Sequence, residues 1–133
     1  MRHATNGKSF GMRPGIFPTN VTFSSPESVA FDALLAPIDQ GIYVGSLWHT
    51  TAPTGLHTGA CISTVIGPSF AIRHGKLAEP VQPGSLRLHD NFLDLLQRLT
   101  GLSTTQQPVV LATRQSLVLA PEWRCSQAHF VTA

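Results

Sequence analysis

Six histidines, two cysteines and seven carboxylates are the side chains in this sequence that could hold a metal or move a proton. His3, His49, His57, His74, His89 and His129 never recur at i, i+4, and no His-Glu-x-x-His pattern occurs. No helix therefore offers two ligands to one metal. A site built from separate loops needs only that its ligands meet in space. His49 and His57, on either side of a loop carrying Pro53 and Gly55, are the candidates for such a metal site. His74 reads as a turn residue and His89 as a neighbour of a helix cap. Cys61 lies in a β-branched run, where a thiol is usually packing rather than nucleophile. Cys61 and Cys125 fit no metal or redox spacing. They read as two buried thiols, with a single disulfide as the alternative. No Gly-x-Ser-x-Gly elbow and no Gly-x-x-x-x-Gly-Lys phosphate loop is present. The carboxylates are dispersed, so no catalytic residue is assigned. Trp48 and Trp123 are the candidate binding residues; the competing reading makes them core or interface anchors.

These side chains sit on a chain whose composition narrows the choices. A length of 133 residues fits one domain with a core of its own. Charged residues make up 12%, against roughly 25% in typical soluble domains. Either Ser, Thr, Gln and His supply the surface, or another domain or subunit covers part of it. A net charge of +2, without a basic run, gives no footprint for nucleic acid. No apolar run approaches the ~20 residues of a membrane span, and Met1-Arg2-His3 opens no signal peptide. The expectation is a cytoplasmic protein without nucleic-acid or membrane partners.

The elements that would position these residues are mostly strands. Residues 1–19, with Gly7, Gly11, Pro14, Gly15 and Pro18, read as an extended arm before a single domain over 20–133. Asn20 to Phe23 alternates as a short strand. Ser25-Pro26-Glu27 opens a helix with an apolar face of Val29, Phe31, Leu34 and Leu35, and Pro37 ends it. Gly41 to Trp48 reads as one strand, Thr50 to Gly59 as a loop, and Ala60 to Ile66 as a strand. Ser69 to His74 and Lys76 to Val81 form a hairpin about Gly75, where the turn needs positive φ. Ser85 to Leu88 is a further short strand.

A second helix follows, capped by Asp90, with Phe92, Leu95, Leu96 and Leu99 on one stripe. Asp94 and Arg98 are spaced to pair at i, i+4, and Gly101 stands as its C-terminal glycine. Ser103 to Gln107 reads as a polar loop. Val109 to Ala112 and Leu117 to Ala120 are strands, Pro121 breaks the second, and His129 to Val131 is an edge strand. The sum is an α+β fold, mainly antiparallel β-sheet with two short helices.

Several segments, taken in order, resemble the TldD/PmbA family, the metalloprotease-like "modulators of DNA gyrase", in its C-terminal domain. They are Pro18-Thr19-Asn20, the Ser25 to Leu35 segment, Gly41-Ile42-Tyr43-Val44, Thr54-Gly55 with Gly59, the Phe70 to Val81 hairpin, Asn91 to Leu96, and Ala120-Pro121. The resemblance runs from about Pro18 to Phe130. It implies a soluble bacterial or archaeal protein. Zinc-dependent members of the family form a hydrolytic chamber with a non-metal partner and cut unfolded or modified peptides. Those members are similar to one another in an upstream His-Glu-x-x-x-His helix and a later cysteine. This sequence has no such helix motif. The place of the later cysteine falls near Ala112 and Thr113, and Cys125 comes too late in the pattern. No catalytic residue and no zinc ligand transfers. What the resemblance implies is a non-catalytic C-terminal domain without its own cofactor. Its partners would be an N-terminal catalytic portion or a partner subunit, together with a peptide substrate. The residues alone leave two further readings: a small hydrolase with a histidine metal site assembled from loops, or a peptide-binding module.

Overall fold

The computed structural model describes residues 23–111 and 116–133. The expected arm over 1–19 and the residues at 20–22 lie outside them. In chain order the elements are α1 (Phe31–Leu35), β1 (Gln40–Tyr43), β2 (Leu47–Thr51), a single 3-10 turn (Leu56–Thr58), β3 (Ala60–Val65), β4 (Ser69–Arg73), β5 (Lys76–Val81), β6 (Leu86–Asn91), α2 (Phe92–Gln97), β7 (Leu99–Leu111), β8 (Ser116–Cys125) and β9 (Phe130–Thr132). Every strand pairing is antiparallel. The strands form a three-stranded sheet β1-β4-β5, a four-stranded sheet β2-β3-β6-β9, and a two-stranded ribbon β7-β8. This is the α+β fold expected. No helix among the described residues is long and apolar enough to cross a membrane.

The run Gly41 to Trp48 is not one strand. It breaks at Val44–Ser46, and its halves join different sheets. The partner chain breaks opposite it, between β3 and β4. Residues 40–51 and 60–73 are thus two long antiparallel strands folded at one corner, as occurs where strands switch sheets. The corner is tight. Gly45 N donates to Ser69 Oγ at 3.1 Å, and Ile66 N to Ser46 O at 3.1 Å. A Cβ at Gly45 would sit 2.1 Å from the Pro68 carbonyl oxygen. That obstacle is backbone and cannot turn aside. Gly45→Ala is expected to lower stability by about 1–3 kcal/mol, as overpacking does, read as a shift in the urea midpoint at unchanged slope.

The first helix is shorter than expected. Ser25 does cap locally, with Glu27 N donating to its Oγ at 3.2 Å, but it caps a turn that closes at Ser28. Val29 is drawn into a parallel bridge with Ser103, its N–H on Leu102 O and its carbonyl accepting from Thr104 N. An extended residue there prevents a helix from running through from Pro26. The helix starts at Phe31 and buries Leu34 and Leu35.

The β4–β5 hairpin forms as read. His74 (φ 47°) and Gly75 (φ 75°) are its two turn residues, both left-handed as a two-residue hairpin turn requires. His74 is indeed a turn residue. Its Nδ1 lies 2.7 Å from Asp39 Oδ1, and the N–H groups of His74 and Gly75 donate to Asp39 O and Ile38 O.

Three readings around the second helix are corrected. The N-cap is Asn91, whose Oδ1 accepts from Leu93 N at 2.9 Å while its Nδ2 donates to Thr58 O. Asp90, one residue earlier, does other work. Arg98 pairs with that Asp90 at 2.6 Å and not with the Asp94 carboxylate; to Asp94 it gives its backbone N–H and its Nε–H, both on the carbonyl. Gly101 lies within β7, since Arg98 already ends the helix. The small residue there lets α1 approach: a Cβ at Gly101 would lie 2.9 Å from Leu34 Cδ1.

Neither the polar segment Ser103 to Gln107 nor Pro121 interrupts the ribbon. Thr104 to Gln107 are exposed, and a two-stranded ribbon wet on that stretch imposes no alternation to read. Pro121 pairs with Gln106 beside a register shift between Leu102 and Gln106. Bulges and outer strands are where a missing N–H is tolerated. The final strand, β9, pairs with β6 through Phe130↔Leu88.

Candidate functional site

A cleft of about 590 Å³ opens between the α1–β1 segment and β8. Its walls are largely apolar: Phe31, Leu34 and Leu35 from α1, Ile42 and Tyr43 from β1, and Trp123 and Phe130 from the C-terminal strands. Phe31 and Tyr43 meet edge to face at 5.5 Å. The polar residues that line it are Tyr43, Ser46, Gln107, Glu122 and Arg124. Ser103, 3% exposed, anchors Glu122 from beneath. Its hydroxyl bonds the Glu122 carboxylate and accepts from Glu122 N at 2.8 Å. Burial, and then the Glu122 charge, push the Tyr43 phenol above its ordinary range. Tyr43 is therefore a neutral hydroxyl at physiological pH.

Arg124 reaches across the same region. Its Nη1 donates to Leu34 O at 3.2 Å, closing one end of α1, while Nε and Nη2 donate to Thr100 Oγ1 and Thr100 O. All three acceptors are neutral. A mostly apolar cleft of this size with a few convergent polar groups has the character of a small-molecule site.

A second polar centre is structural. The Asp90 side chain is 4% exposed. It accepts from Arg98 Nη2 at 2.6 Å, Asn91 N at 2.7 Å and His129 N at 2.9 Å. Burial pushes its carboxyl up, but the donors from His129, Asn91 and Arg98 outweigh that and leave it below the usual carboxylate value. Arg98 also donates to Gln127 O. One buried carboxylate thus joins the end of β6, the last turn of α2 and the entry to β9.

Both cysteines are free thiols. Cys61 packs with Leu88 and Leu95, and Cys125 with Phe130 lies against that cluster. Burial raises both thiols, first among several causes. That disfavours the thiolate and suits packing over chemistry.

The histidine candidates are not assembled. His49 stands exposed on β2 at φ 58°, beside a register shift. His57 is exposed in the 3-10 turn, its ring near Gly55. Among the described residues no three His, Cys, Asp or Glu side chains are placed to hold one metal ion. Among the described residues these side chains do not fit a zinc site. The expected place of the family's later cysteine, near Ala112 and Thr113, lies outside the described residues. Trp123 lines the cleft and packs with Phe23 at 5.5 Å and Phe92 at 6.3 Å. Trp48 is 54% exposed on β2 and takes no part in the cleft.

Tyr43, Ser103, Glu122 and Arg124 were not candidates on the sequence. The available signal was the i, i+2 spacing of Glu122 and Arg124, which puts both on one face of a strand. Reading Pro121 as a strand breaker hid it.

The family model described as PmbA/TldA metallopeptidase C-terminal domain matches residues 1–132. The fold is similar to that of TldE from Thermococcus kodakarensis, with TM-score 0.69 at 17% identity, over 88% of this chain and 24% of that one. It is also similar to a protein of Thermotoga maritima MSB8 described as a modulator of a DNA gyrase, with TM-score 0.62 at 20% identity over 88% and 25%. A Bacteroides thetaiotaomicron VPI-5482 protein described as a modulator of DNA gyrase gives TM-score 0.54 at 22% identity over 80% and 22%. This chain spans about a quarter of the length of each of these structures. No curated protein matches it.

Proposed function

Because the chain belongs to the PmbA/TldA metallopeptidase family, as its C-terminal domain, we propose that it serves as a non-catalytic assembly domain. On this reading it packs against the catalytic portion of such a peptidase, or a partner subunit, and forms part of the wall of a chamber where unfolded or modified peptides are cut. The observation that carries the reading is the apolar surface left open on the domain. β2 is an outer strand of its sheet, all five of its residues are exposed, and they include Leu47 and Trp48. An open sheet edge with large apolar side chains is a docking surface unless something blunts it. Phe92 and Leu93 at the start of α2 are about half exposed as well. The low charge content agrees with a surface meant for cover.

The test mixes the purified chain with the separately produced N-terminal portion of a PmbA/TldD-type protein and measures mass by light scattering. A stable complex, or a self-associated form, is expected. Trp48→Asp is expected to weaken that association at least tenfold, as loss of an aromatic anchor does. A strictly monomeric chain that hydrolyses peptides by itself overturns the reading.

A further inference from the structure

Phe23, the first described residue, sets its ring against Trp123 of β8 with centroids 5.5 Å apart, and Phe92 of α2 stands 6.3 Å from the same indole. Rings from three separate parts of the chain share one place, but Phe23 is 42% and Phe92 46% exposed. Leu119, 51% exposed, falls on the Trp123 face of β8 by strand alternation. It lies about 14 Å along the strand at a rise of ~3.4 Å per residue. Single exposed apolar side chains are ordinary, whereas a contiguous aromatic group left half open marks a surface that something covers.

What covers it follows from where the chain enters. The residues before Phe23 depart from the patch itself, because Phe23 is already seated on it. Residues 14–26 carry no charged side chain, and Ile16, Phe17 and Val21 among them are apolar. Such a segment covers rings without taking a charge out of water. The six steps from Phe17 to Phe23 span at most about 20 Å, more than the ~14 Å from Trp123 to Leu119. The whole patch is therefore within reach. A tethered segment meets only the small closure cost of a short loop. A separate molecule gives up translational and rotational freedom to sit in the same place.

We propose that residues 16–21 of this chain cover the patch, with Ile16, Phe17 and Val21 against Phe92, Trp123 and Leu119. The exposed strand β2 is left for a partner, so the inference goes beyond the assembly reading and does not rest on it.

Photocrosslinking of the full chain tests the proposal. The photoreactive p-benzoylphenylalanine replaces Phe92, whose aromatic ring it keeps. The purified chain is irradiated at low concentration, and its adducts are located by tandem mass spectrometry. Adducts on residues 16–21 at the mass of one chain are expected. The same probe at Leu77 of β5, 40% exposed in another sheet, is expected to give at least tenfold less adduct on those residues. Phe17→Asp is expected to cut the yield from the Phe92 position at least tenfold. The segment without that substitution carries the main comparison, so the outcome does not hinge on how the variant folds. Absence of adducts on residues 16–21, adducts that join two copies, or equal yields from the two probe positions overturn the proposal. An adduct to a second copy would at the same time support the assembly reading. Adducts within one chain that forms no complex would support this proposal and count against assembly.

Discussion

Replacing Asp90 with alanine is expected to cost about 3–5 kcal/mol, the penalty for breaking a buried ion pair from one side. The side chain is 4% exposed and satisfies one guanidinium and two backbone N–H groups at once. Its removal leaves Arg98 facing a vacated pocket and frees the His129 N–H at the entry to β9. Chemical denaturation should show the whole loss as a lower midpoint. Asp90→Asn should lose nearly as much, because its amide nitrogen meets donors.

The pH dependence follows from the sign of the shift. The folded carboxyl lies below its ordinary value, so the unfolded chain takes up a proton first as pH falls. The stabilisation is complete above the unfolded carboxylate value near ~4. It is lost as pH drops through the lower folded value. Stability of the parent chain should therefore fall below about pH 4, and the Asp90→Asn variant should lack that component. A variant with the parent's full acid limb would remove Asp90 as its source.

Leu95→Ala is the second large effect, about 2–5 kcal/mol for truncating a buried leucine. Leu95 contributes to the cluster of Cys61 and Leu88, and Cys125 Sγ contacts its carbonyl at 3.6 Å. It is the buried residue of α2, the point where that helix joins the four-stranded sheet. Leu93→Ala, two residues back and 51% exposed, is the control and should change stability by no more than about 0.5 kcal/mol. Equal effects at the two positions would contradict the packing described.

What was legible in the residues is what local periodicity and turn chemistry encode. Ala60 to Ile66, the hairpin around Gly75, the helix after Asn91 and the last strand all announce themselves within a few positions. The corner at Gly45 does not, because its cause is the carbonyl of Pro68, distant in sequence. The shortened first helix is likewise set by Leu102, Ser103 and Thr104, which pull Val29 into extended form. Asp90 looked like a cap because it stands one residue before one. Its true partner, Arg98, lies eight positions on, a spacing no single helix face supplies. The cleft was illegible for a related reason. Tyr43 comes from β1, Ser103 from β7, and Glu122 and Arg124 from β8; the pairing of β7 with β8 joins the last three, and α1, packed on the ribbon at Gly101 and against Tyr43 through Phe31, brings in the first.

That packing has a consequence for the order in which the protein can be made. Val29 finds its bridge at Ser103, and the end of α1 finds its donor at Arg124, ninety positions after Leu34. During synthesis the hairpins from Gln40 to Val81 can close as they emerge, since their partners are close in sequence. The first helix cannot settle until Arg124 has left the ribosome. Until then the apolar side of α1 stays open on the nascent polypeptide, the condition in which chaperones bind and misassembly begins.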